Sequence, residues 1–392
     1  MMWWLACTPA SVPLEHGELV LEEPEDTGTI EVPETTEAPA PFGLEVHEIA
    51  ITLDDQAVES LWASPYTYIE AELAFDGVEY AVALRSKGRY GSYRDLSQKA
   101  GFKVDVNRFV DQDIHGVQSM NINNMVQDGA QVHDFMAYTV YRAMGVPCPW
   151  VGYAWVTVNG ETYGLYALVE DYDDEFVKDR FEDGSGNLYD GDYWLAEDWS
   201  TYVLLDFFES RHELFDLDSG TDVGFADIAA VTAVLDEYGA TQELDEHLDE
   251  VVVMDEVLAM WAAETWLGHY DGYNYNSNNY RLYFDPSDGR MWMMPWDQDW
   301  SFYADTPIHS PLGRISSTCF GDTSCRRAYE AKLDEVCAID AEMLHETLDE
   351  VTDLVNPYVR DDPRREVSWS EVRWYQDDVD DWIDRRCGEL DR

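Results

Sequence analysis

The chain has 392 residues, of which 45% are hydrophobic and 14% aromatic, enough to bury a core in one large domain or two small ones. Its 81 acidic residues against 24 basic ones give a formal net charge of -57, and a field of that sign repels nucleic acid and anionic lipid. The composition therefore argues against a nucleic-acid partner and for a globular protein with an acidic surface.

The first residues look like the end of a bacterial lipoprotein signal, Leu5-Ala6-Cys7. We expect residues 1–7 to be a remnant of that signal, with Cys7 lipidated, and residues 8–41 to form a disordered acidic tether rich in Pro, Glu and Thr. The protein would then be extracytoplasmic and touch a bacterial membrane or cell surface only through a lipid anchor. The alternative is a short cytosolic N-terminus with a stray cysteine.

Order is expected from about residue 42, and the first part of the folded domain is rich in strands. Alternating apolar and polar residues predict strands at residues 44–49, 68–73, 78–84 and 102–106. Apolar residues at helical spacing, closed by a glycine and a proline, predict a helix at residues 132–144.

A hairpin is predicted around Asn159-Gly160, because a type I′ turn needs positive φ at both central residues. After Glu170 the chain is expected to be mainly helical, with the clearest helices at residues 227–238 and 254–268. A second hairpin is predicted around the turn at residues 286–289, and the tail from residue 326 onward is predicted to be helical again.

The later cysteines favour an oxidising compartment. Cys319 and Cys325 bracket a short loop, and Cys337 and Cys387 flank the helical C-terminal region, so two disulfides are expected. Cys148 is left over, and we interpret it as a small buried residue rather than a nucleophile.

One segment carries groups suited to phosphoryl transfer. Such transfer from ATP needs a carboxylate to position and deprotonate a hydroxyl, and hard oxygen ligands to hold magnesium. Asp271 can serve as the carboxylate, while Asn276 and Asp297 can serve as ligands, with the second predicted hairpin between them. Asp297 and Asp299 stand among aromatic and methionine residues, where a carboxylate without a partner would be costly. The alternative for this pair is a surface turn.

A second segment carries cations. Three of the five lysines, Lys87, Lys99 and Lys103, fall in one short stretch that begins with Arg85 and contains small residues, which allow a backbone to approach phosphate closely. The alternative is a chance cluster on a solvated strand.

The chain resembles the spore coat protein H (CotH) kinases, a family that looks like very divergent protein kinases, from about residue 45 to residue 305. The stretches that carry the resemblance are residues 85–89 and 99–106, Asn121-Ile122-Asn123-Asn124, residues 133–147 and 158–170, residues 271–283, and Pro295-Trp296-Asp297-Gln298-Asp299.

The resemblance implies Asp271 as the catalytic base and Asp297 as the principal magnesium ligand, with Asp299 close behind. It implies Asn276 or Asn279 as an amide ligand, and the choice stays open within the run of asparagines Asn274, Asn276, Asn278 and Asn279.

The same resemblance implies a set of nucleotide-binding residues. They are Arg85, Lys87, Lys99, Lys103, Asp134 and Glu170. Lys99 or Lys103 would contact the α- and β-phosphates, and Asp134 would orient that lysine from a position where the family usually has Glu.

The expected fold is therefore α+β, an atypical protein-kinase-like fold of two lobes, with the N-lobe at about residues 42–170 and the C-lobe at about residues 171–392. The expected function is transfer of phosphate from ATP, with Mg²⁺ or Mn²⁺, to Ser or Thr of an exported protein by a monomeric enzyme. The alternatives are a non-catalytic, pseudokinase-like surface protein that binds Ca²⁺ or no metal, and a transferase of AMP.

Overall fold

The computed structural model of the chain describes residues 40–191, 193–196, 201–303 and 310–390. The expected lipidation at Cys7, the signal remnant and all but the last two residues of the expected tether lie outside these ranges. All of the described residues belong to one compact unit. In the part of the chain that the structure describes, none of the helices is long and apolar enough to cross a membrane.

Seven strands of the N-terminal part close into a barrel, in the order β1-β2-β3-β4-β5-β7-β6. The strands are β1 (Val46–Thr52), β2 (Ile69–Phe75), β3 (Val78–Lys87), β4 (Gly101–Asp105), β5 (Ser119–Asn123), β6 (Val151–Val158) and β7 (Glu161–Glu170). Helix α1 (Asp55–Ala63) joins the first two strands, and helix α2 (His133–Ala143) lies between β5 and β6. The strand-rich N-terminal part is thus confirmed.

Closure of the barrel depends on one parallel pairing, β1 with β6, in which Val46 pairs with Tyr153 and Ile51 with Val158. The inward-facing apolar side chains of the strands, with Phe102, Val104 and Ile122 among them, form a hydrophobic core of their own. Because side chains alternate along each strand, the polar residues between them face outward.

The predicted hairpin is β6-β7, and its turn has the expected geometry, with φ of 50° at Asn159 and 80° at Gly160. Asn159 also ties the turn to β1, because its side-chain oxygen accepts a hydrogen bond from the backbone nitrogen of Leu53 at 2.8 Å.

The C-terminal part is mainly helical around the buried helix α6. Its helices are α3 (Asp174–Arg180), α4 (Ala226–Tyr238), α5 (Leu244–Leu248), α6 (Met254–Leu267), α7 (Tyr273–Asn276), α8 (Arg314–Gly321), α9 (Thr323–Cys337), α10 (Ala341–Asp361) and α11 (Trp369–Leu390). All but two residues of α6 are buried, since apolar residues surround the whole helix rather than one face.

Short strands interrupt this helical part. They are β8 (Asn187–Asp190), β9 (Tyr193–Leu195), β10 (Tyr202–Leu204), β11 (Asp216–Ser219), β12 (Tyr280–Asp285) and β13 (Arg290–Pro295). The hairpin β12-β13 was predicted, and it joins β8 and β11 in a four-stranded sheet. The strands β8 to β11 and the short 3-10 helix at Glu209–Leu214 lie where helix was expected, so that expectation is wrong there.

The four later cysteines pair as expected, Cys319 with Cys325 and Cys337 with Cys387. The second disulfide joins the end of α9 to the last helical turns of α11, across 50 residues of sequence. Cys148 is a buried free cysteine. Burial raises the pKa of its thiol to about 11, which keeps it protonated and unreactive.

Candidate functional site

A cleft lies between the barrel and the loops that precede β12 and follow β13. Its empty space is about 870 Å³ when the part that is open to solvent is included. The side chains that line it include Arg85, Lys87, Arg89, Lys103, Asp171, Asp190, Asp271, Asn278, Asn279, Arg281 and Asp297. The cleft is therefore strongly polar and carries charges of both signs.

The barrel side of the cleft supplies cations from β3 and β4. Arg85 and Lys103 are paired opposite each other in the antiparallel ladder, so their side chains leave the same face. Lys103 forms an ion pair with the buried carboxylate of Asp171. Burial lowers the pKa of Lys103, but Asp171 outweighs that effect and the pKa is raised, so the lysine stays charged.

The opposite side begins where α6 ends. Gly268 closes that helix in the left-handed conformation, with φ of 62°. The following turn is so close to the helix that a Cβ on Gly272 would lie 1.8 Å from Oε1 of Glu264. Glu264 in turn accepts a hydrogen bond from the backbone nitrogen of Asn274 at 3.0 Å. Helix α6 thereby fixes the loop that carries Asp271.

Three asparagine side chains hold the carboxylate of Asp271. Asn276 donates to Oδ1 at 2.5 Å, while Asn278 and Asn279 each donate to Oδ2 at 3.1 Å. Burial raises the pKa of Asp271, whereas the hydrogen bonds from Asn276 and Asn278 lower it. The result is an oriented carboxylate with a basicity above that of a carboxylate in water.

Three further carboxylates, Asp134, Asp297 and Asp299, interact with Lys87, and of these four residues Lys87 and Asp297 line the cleft. Nζ of Lys87 lies 3.5 Å from Oδ2 of Asp297. Burial and the charge of Asp297 raise the pKa of Asp134 to about 6, although Lys87 lowers it. The same causes, with Asp134 added, raise the pKa of Asp299 well above its usual value. Burial lowers the pKa of Lys87, but these three carboxylates outweigh it and the pKa is raised. The cluster has more negative than positive charge.

The cleft offers part of the ligand set that a divalent ion requires. Among the residues that the structure describes, no three His, Cys, Asp or Glu side chains are close enough together to hold a metal by themselves. Mg²⁺ is commonly held by one or two carboxylates together with substrate phosphates. Asp297 lines the cleft, and Oδ1 of Asn278 is buried with no hydrogen-bond partner in the described part of the chain. Both residues line the cleft, and their oxygens are of the type that such a partial ligand set uses.

The structure brings together some of the predicted site residues and separates others. Asp271, Asn279, Asp297, Arg85, Lys87 and Lys103 line the cleft. Lys99 instead forms an ion pair with Asp362 at 2.7 Å, and both side chains are almost completely buried. Glu170 accepts hydrogen bonds from Arg180 at 2.5 Å and from the backbone nitrogen of Trp150 at 3.0 Å.

Asn276 reaches the cleft only through its bond to Asp271 and lines a neighbouring pocket beside β10. Asp134 is not paired with Lys103. It accepts hydrogen bonds from the backbone nitrogen of Gln298 at 3.0 Å and from the side chain of Asn123 at 3.1 Å. Asp299 is buried, and Asn123 also donates to it at 3.3 Å.

The sequence analysis did not predict a role for Asp171 or Arg281. It named Asn278 only as one of four asparagines among which the amide ligand of the metal was left open. Asp171 follows Glu170 directly, and the alternation of side chains at the end of β7 decides which of the two faces the cleft. Arg281 forms an ion pair with Asp190 at 2.7 Å, and the pairing of β12 with β8 that aligns them could have been found only by predicting β8.

Comparison with known proteins places this chain in a wider group. Residues 84–389 match the sequence model of the family described as CotH kinase protein. The inner spore coat protein H of Bacillus subtilis is 19% identical over 292 residues, which cover 69% of this chain and 76% of that protein. A crystal structure of the Helicobacter pylori proinflammatory kinase CtkA aligns at 10% identity with a TM-score of 0.34, covering 82% of this chain and 89% of that one. A TM-score this low does not establish a common fold.

Proposed function

The chain belongs to the CotH kinase family, and from that premise we propose that it transfers phosphate from ATP, with a divalent metal, to a Ser or Thr hydroxyl of an exported protein. The observation that carries the proposal is the cleft, where Asp271 and Asp297 share one lining with Arg85, Lys87 and Lys103. A base, a hard oxygen ligand and phosphate-binding cations are the groups that this reaction needs.

The barrel and the helical part would act as the two lobes of a kinase-like fold around that cleft. The hydrophobic core inside the barrel supports this division, and the larger core around α6 extends onto α2 and the other face of β6 and β7. The barrel would bind the nucleotide through Arg85, Lys87 and Lys103, because each lies where a phosphate could compete for its charge. The helical part would supply Asp271 and Asp297.

Mg²⁺ or Mn²⁺ would be held by Asp297 and by Oδ1 of Asn278, which is buried and in need of a partner. When bound, the ion would neutralise charge on the phosphates of the substrate. Lys87, beside Asp297, would add a second positive charge at the same place.

Asp271 would orient the acceptor hydroxyl and accept its proton as the new oxygen–phosphorus bond forms and ADP leaves. The three amides that hold Asp271 would fix the direction of its free lone pairs. Its raised pKa favours this role, since a carboxylate that binds a proton more tightly is a better general base.

The two disulfides support an exported location, because such bonds persist in oxidising compartments. The acceptor would then be another exported or surface protein.

One observation favours a second candidate, a non-catalytic binding protein. Both oxygens of the Asp271 carboxylate already accept hydrogen bonds from amides, which reduces its readiness to take a proton. In that case the cleft would still bind a nucleotide but no product would form.

The test incubates the purified chain and a panel of exported or casein-like proteins with ATP and Mg²⁺ or Mn²⁺, and measures the intact mass of the products. A phosphoryl increment that disappears in Asp297→Ala, and persists in the matched surface variant Asp353→Asn, supports the proposal. An AMP increment would replace it with nucleotidyl transfer. Nucleotide binding without any product would favour the second candidate, and no binding at all would overturn both.

A further inference from the structure

The loop between β3 and β4, residues 88–100, has two differently engaged sides, and we call it the cleft loop. On one side Gly88, Arg89, Tyr90 and Ser92 line the cleft. Gly88 and Gly91 have φ of 96° and 82°, values that glycine adopts with least strain, so the backbone of this loop is specialised. The other side contacts the connection between α10 and α11, residues 362–368.

Arg94 is the centre of this contact. Its Nη1 donates to the backbone oxygens of Gly91 and Tyr93 at 2.9 and 2.8 Å. Its Nε and Nη2 donate to the two carboxylate oxygens of Glu366, the second at 2.6 Å. One guanidinium group therefore joins the cleft-lining half of the loop to the connection between α10 and α11, in the paired geometry that is strongest for arginine and carboxylate.

Three more hydrogen bonds hold the other half of the loop. Nη1 of Arg364 donates to the backbone oxygens of Leu96 and Gln98. Nζ of Lys99 donates to Oδ2 of Asp362 at 2.7 Å. Asp362 is itself fixed to the barrel, because the same oxygen accepts from the backbone nitrogen of Leu165 in β7 at 3.1 Å. The connection between α10 and α11 thus forms hydrogen bonds with both halves of the cleft loop.

We propose that Arg94 and Glu366 are positioning residues, which hold the cleft loop in the shape that binds the phosphates of the nucleotide. The inference rests on the proposed function for the identity of the ligand. A loop that is already ordered loses less conformational entropy when the ligand binds, so affinity rises without any new contact to the ligand. The helical C-terminal part would in this way influence how tightly the cleft loop, which belongs to the barrel, binds the nucleotide.

The ion pair of Arg94 with Glu366 can be broken with little effect on the stability of the whole fold. The side chains of Arg94 and Glu366 are 21% and 38% exposed, and partly exposed pairs contribute little to global stability. Lys99 and Asp362 are 2% and 1% exposed, so breaking that pair would endanger folding. Glu366→Gln is therefore the informative variant, and Glu350→Gln, at an exposed position of α10, is the matched control.

The experiment measures amide hydrogen exchange of residues 88–100 without nucleotide, and binding of ATP with Mg²⁺ by calorimetry. Glu366→Gln should speed exchange in the cleft loop and weaken ATP binding, each about fivefold, which corresponds to about 1 kcal/mol. Its turnover number at saturating ATP should change by less than about twofold, because the reacting groups are untouched. Glu350→Gln should change none of these quantities.

A double-mutant cycle makes the assignment specific to the pair. In an Arg94→Gln background, adding Glu366→Gln should have almost no further effect, since the interaction is already gone. Unchanged exchange in Glu366→Gln, additive effects in the cycle, or faster exchange with unchanged ATP affinity would each overturn the inference. Failure of the wild-type chain to bind ATP would instead overturn the proposed function, while the exchange data would still decide whether the pair holds the loop.

Discussion

The two walls of the cleft hold their charges in different ways. On the barrel wall each lysine already faces a carboxylate, Lys103 with Asp171 and Lys87 with Asp297. On the opposite wall the carboxylate of Asp271 accepts from the neutral amides of asparagines. Amides orient a carboxylate without cancelling its charge. In an ion pair, the carboxylate holds the lysine side chain in place until a phosphate competes for the lysine. The amide-held carboxylate therefore suits proton transfer, and the ion-paired lysines suit anion binding.

The largest expected effect is on the rate of phosphoryl transfer, when the carboxylate of Asp271 is replaced. Asp271→Asn keeps the shape of the side chain but removes the proposed base, so phosphoryl transfer should fall about 10³-fold, within the range of general-base catalysis. Affinity for ATP should stay within about twofold, because the cations proposed to bind the phosphates are on the other wall. Single-turnover kinetics and calorimetry measure the two quantities. Transfer within about tenfold of wild type would remove Asp271 from the role of base.

The next effect separates two lysines that lie four positions apart. Lys99→Met leaves Asp362 buried without its partner, and should lower the free energy of unfolding by about 3 kcal/mol or more. Lys103→Met should weaken ATP binding about tenfold or more with a smaller loss of stability, because Ser119 and Asn121 still donate to Asp171. Urea unfolding and calorimetry distinguish the two outcomes. The reverse result would move the nucleotide-binding role from Lys103 to Lys99.

A smaller effect concerns Glu264, which holds the loop that carries Asp271, and the dependence of stability on pH. Burial raises the pKa of Glu264 from 4.5 to about 8. The folded state therefore holds this proton more tightly than the unfolded state, and the free energy of unfolding falls as pH rises from about 4.5 to about 8. Glu264→Gln cannot ionise, so at about pH 9 it should be more stable than wild type by about 2 kcal/mol or more, since each pKa unit corresponds to about 1.4 kcal/mol. That advantage should shrink towards pH 5.

Urea unfolding of both proteins at several pH values measures this difference. Parallel pH curves for wild type and Glu264→Gln would mean that the pKa of Glu264 is the same in the folded and unfolded states.

The smallest effect tests the unpartnered amide oxygen. Asn278→Ala removes Oδ1, so the affinity of the chain for Mn²⁺ in the presence of ATP should fall about tenfold. Titration followed by electron paramagnetic resonance measures it. Asn107→Ala, on an exposed loop of the barrel, is the matched control and should leave Mn²⁺ affinity unchanged. Equal affinity in the two variants would exclude Asn278 as a ligand.

Local signals in the sequence predicted much of the fold. The turn at Asn159-Gly160 was found from a requirement for positive φ, and α6 was found from its length and apolar composition. Strand β5 was missed, because its sequence Ser-Met-Asn-Ile-Asn carries polar side chains that are nevertheless buried. Those side chains bond to residues remote in sequence, such as Asn121 to Asp171, and local patterns do not show such partners.

The candidate site was predictable to the extent that its groups lie close together in sequence. The carboxylate and amides between Asp271 and Asn279 share one loop and do meet in the structure. Partners that meet only after folding were not predictable. Lys99 pairs with Asp362, 263 residues later, and Asp134 lies near Lys87 rather than beside Lys103. Burial decides these pairings, since a charge inside the protein must find a counter-charge.

The parallel pairing of β1 with β6 also limits how another polypeptide could approach. Once those two strands are joined, every strand of the barrel has neighbours on both sides, and no backbone edge is left for an additional strand to extend. An acceptor protein would therefore have to engage side chains and loops at the rim of this half, or strand edges elsewhere in the chain. The same closure protects this half from edge-to-edge aggregation.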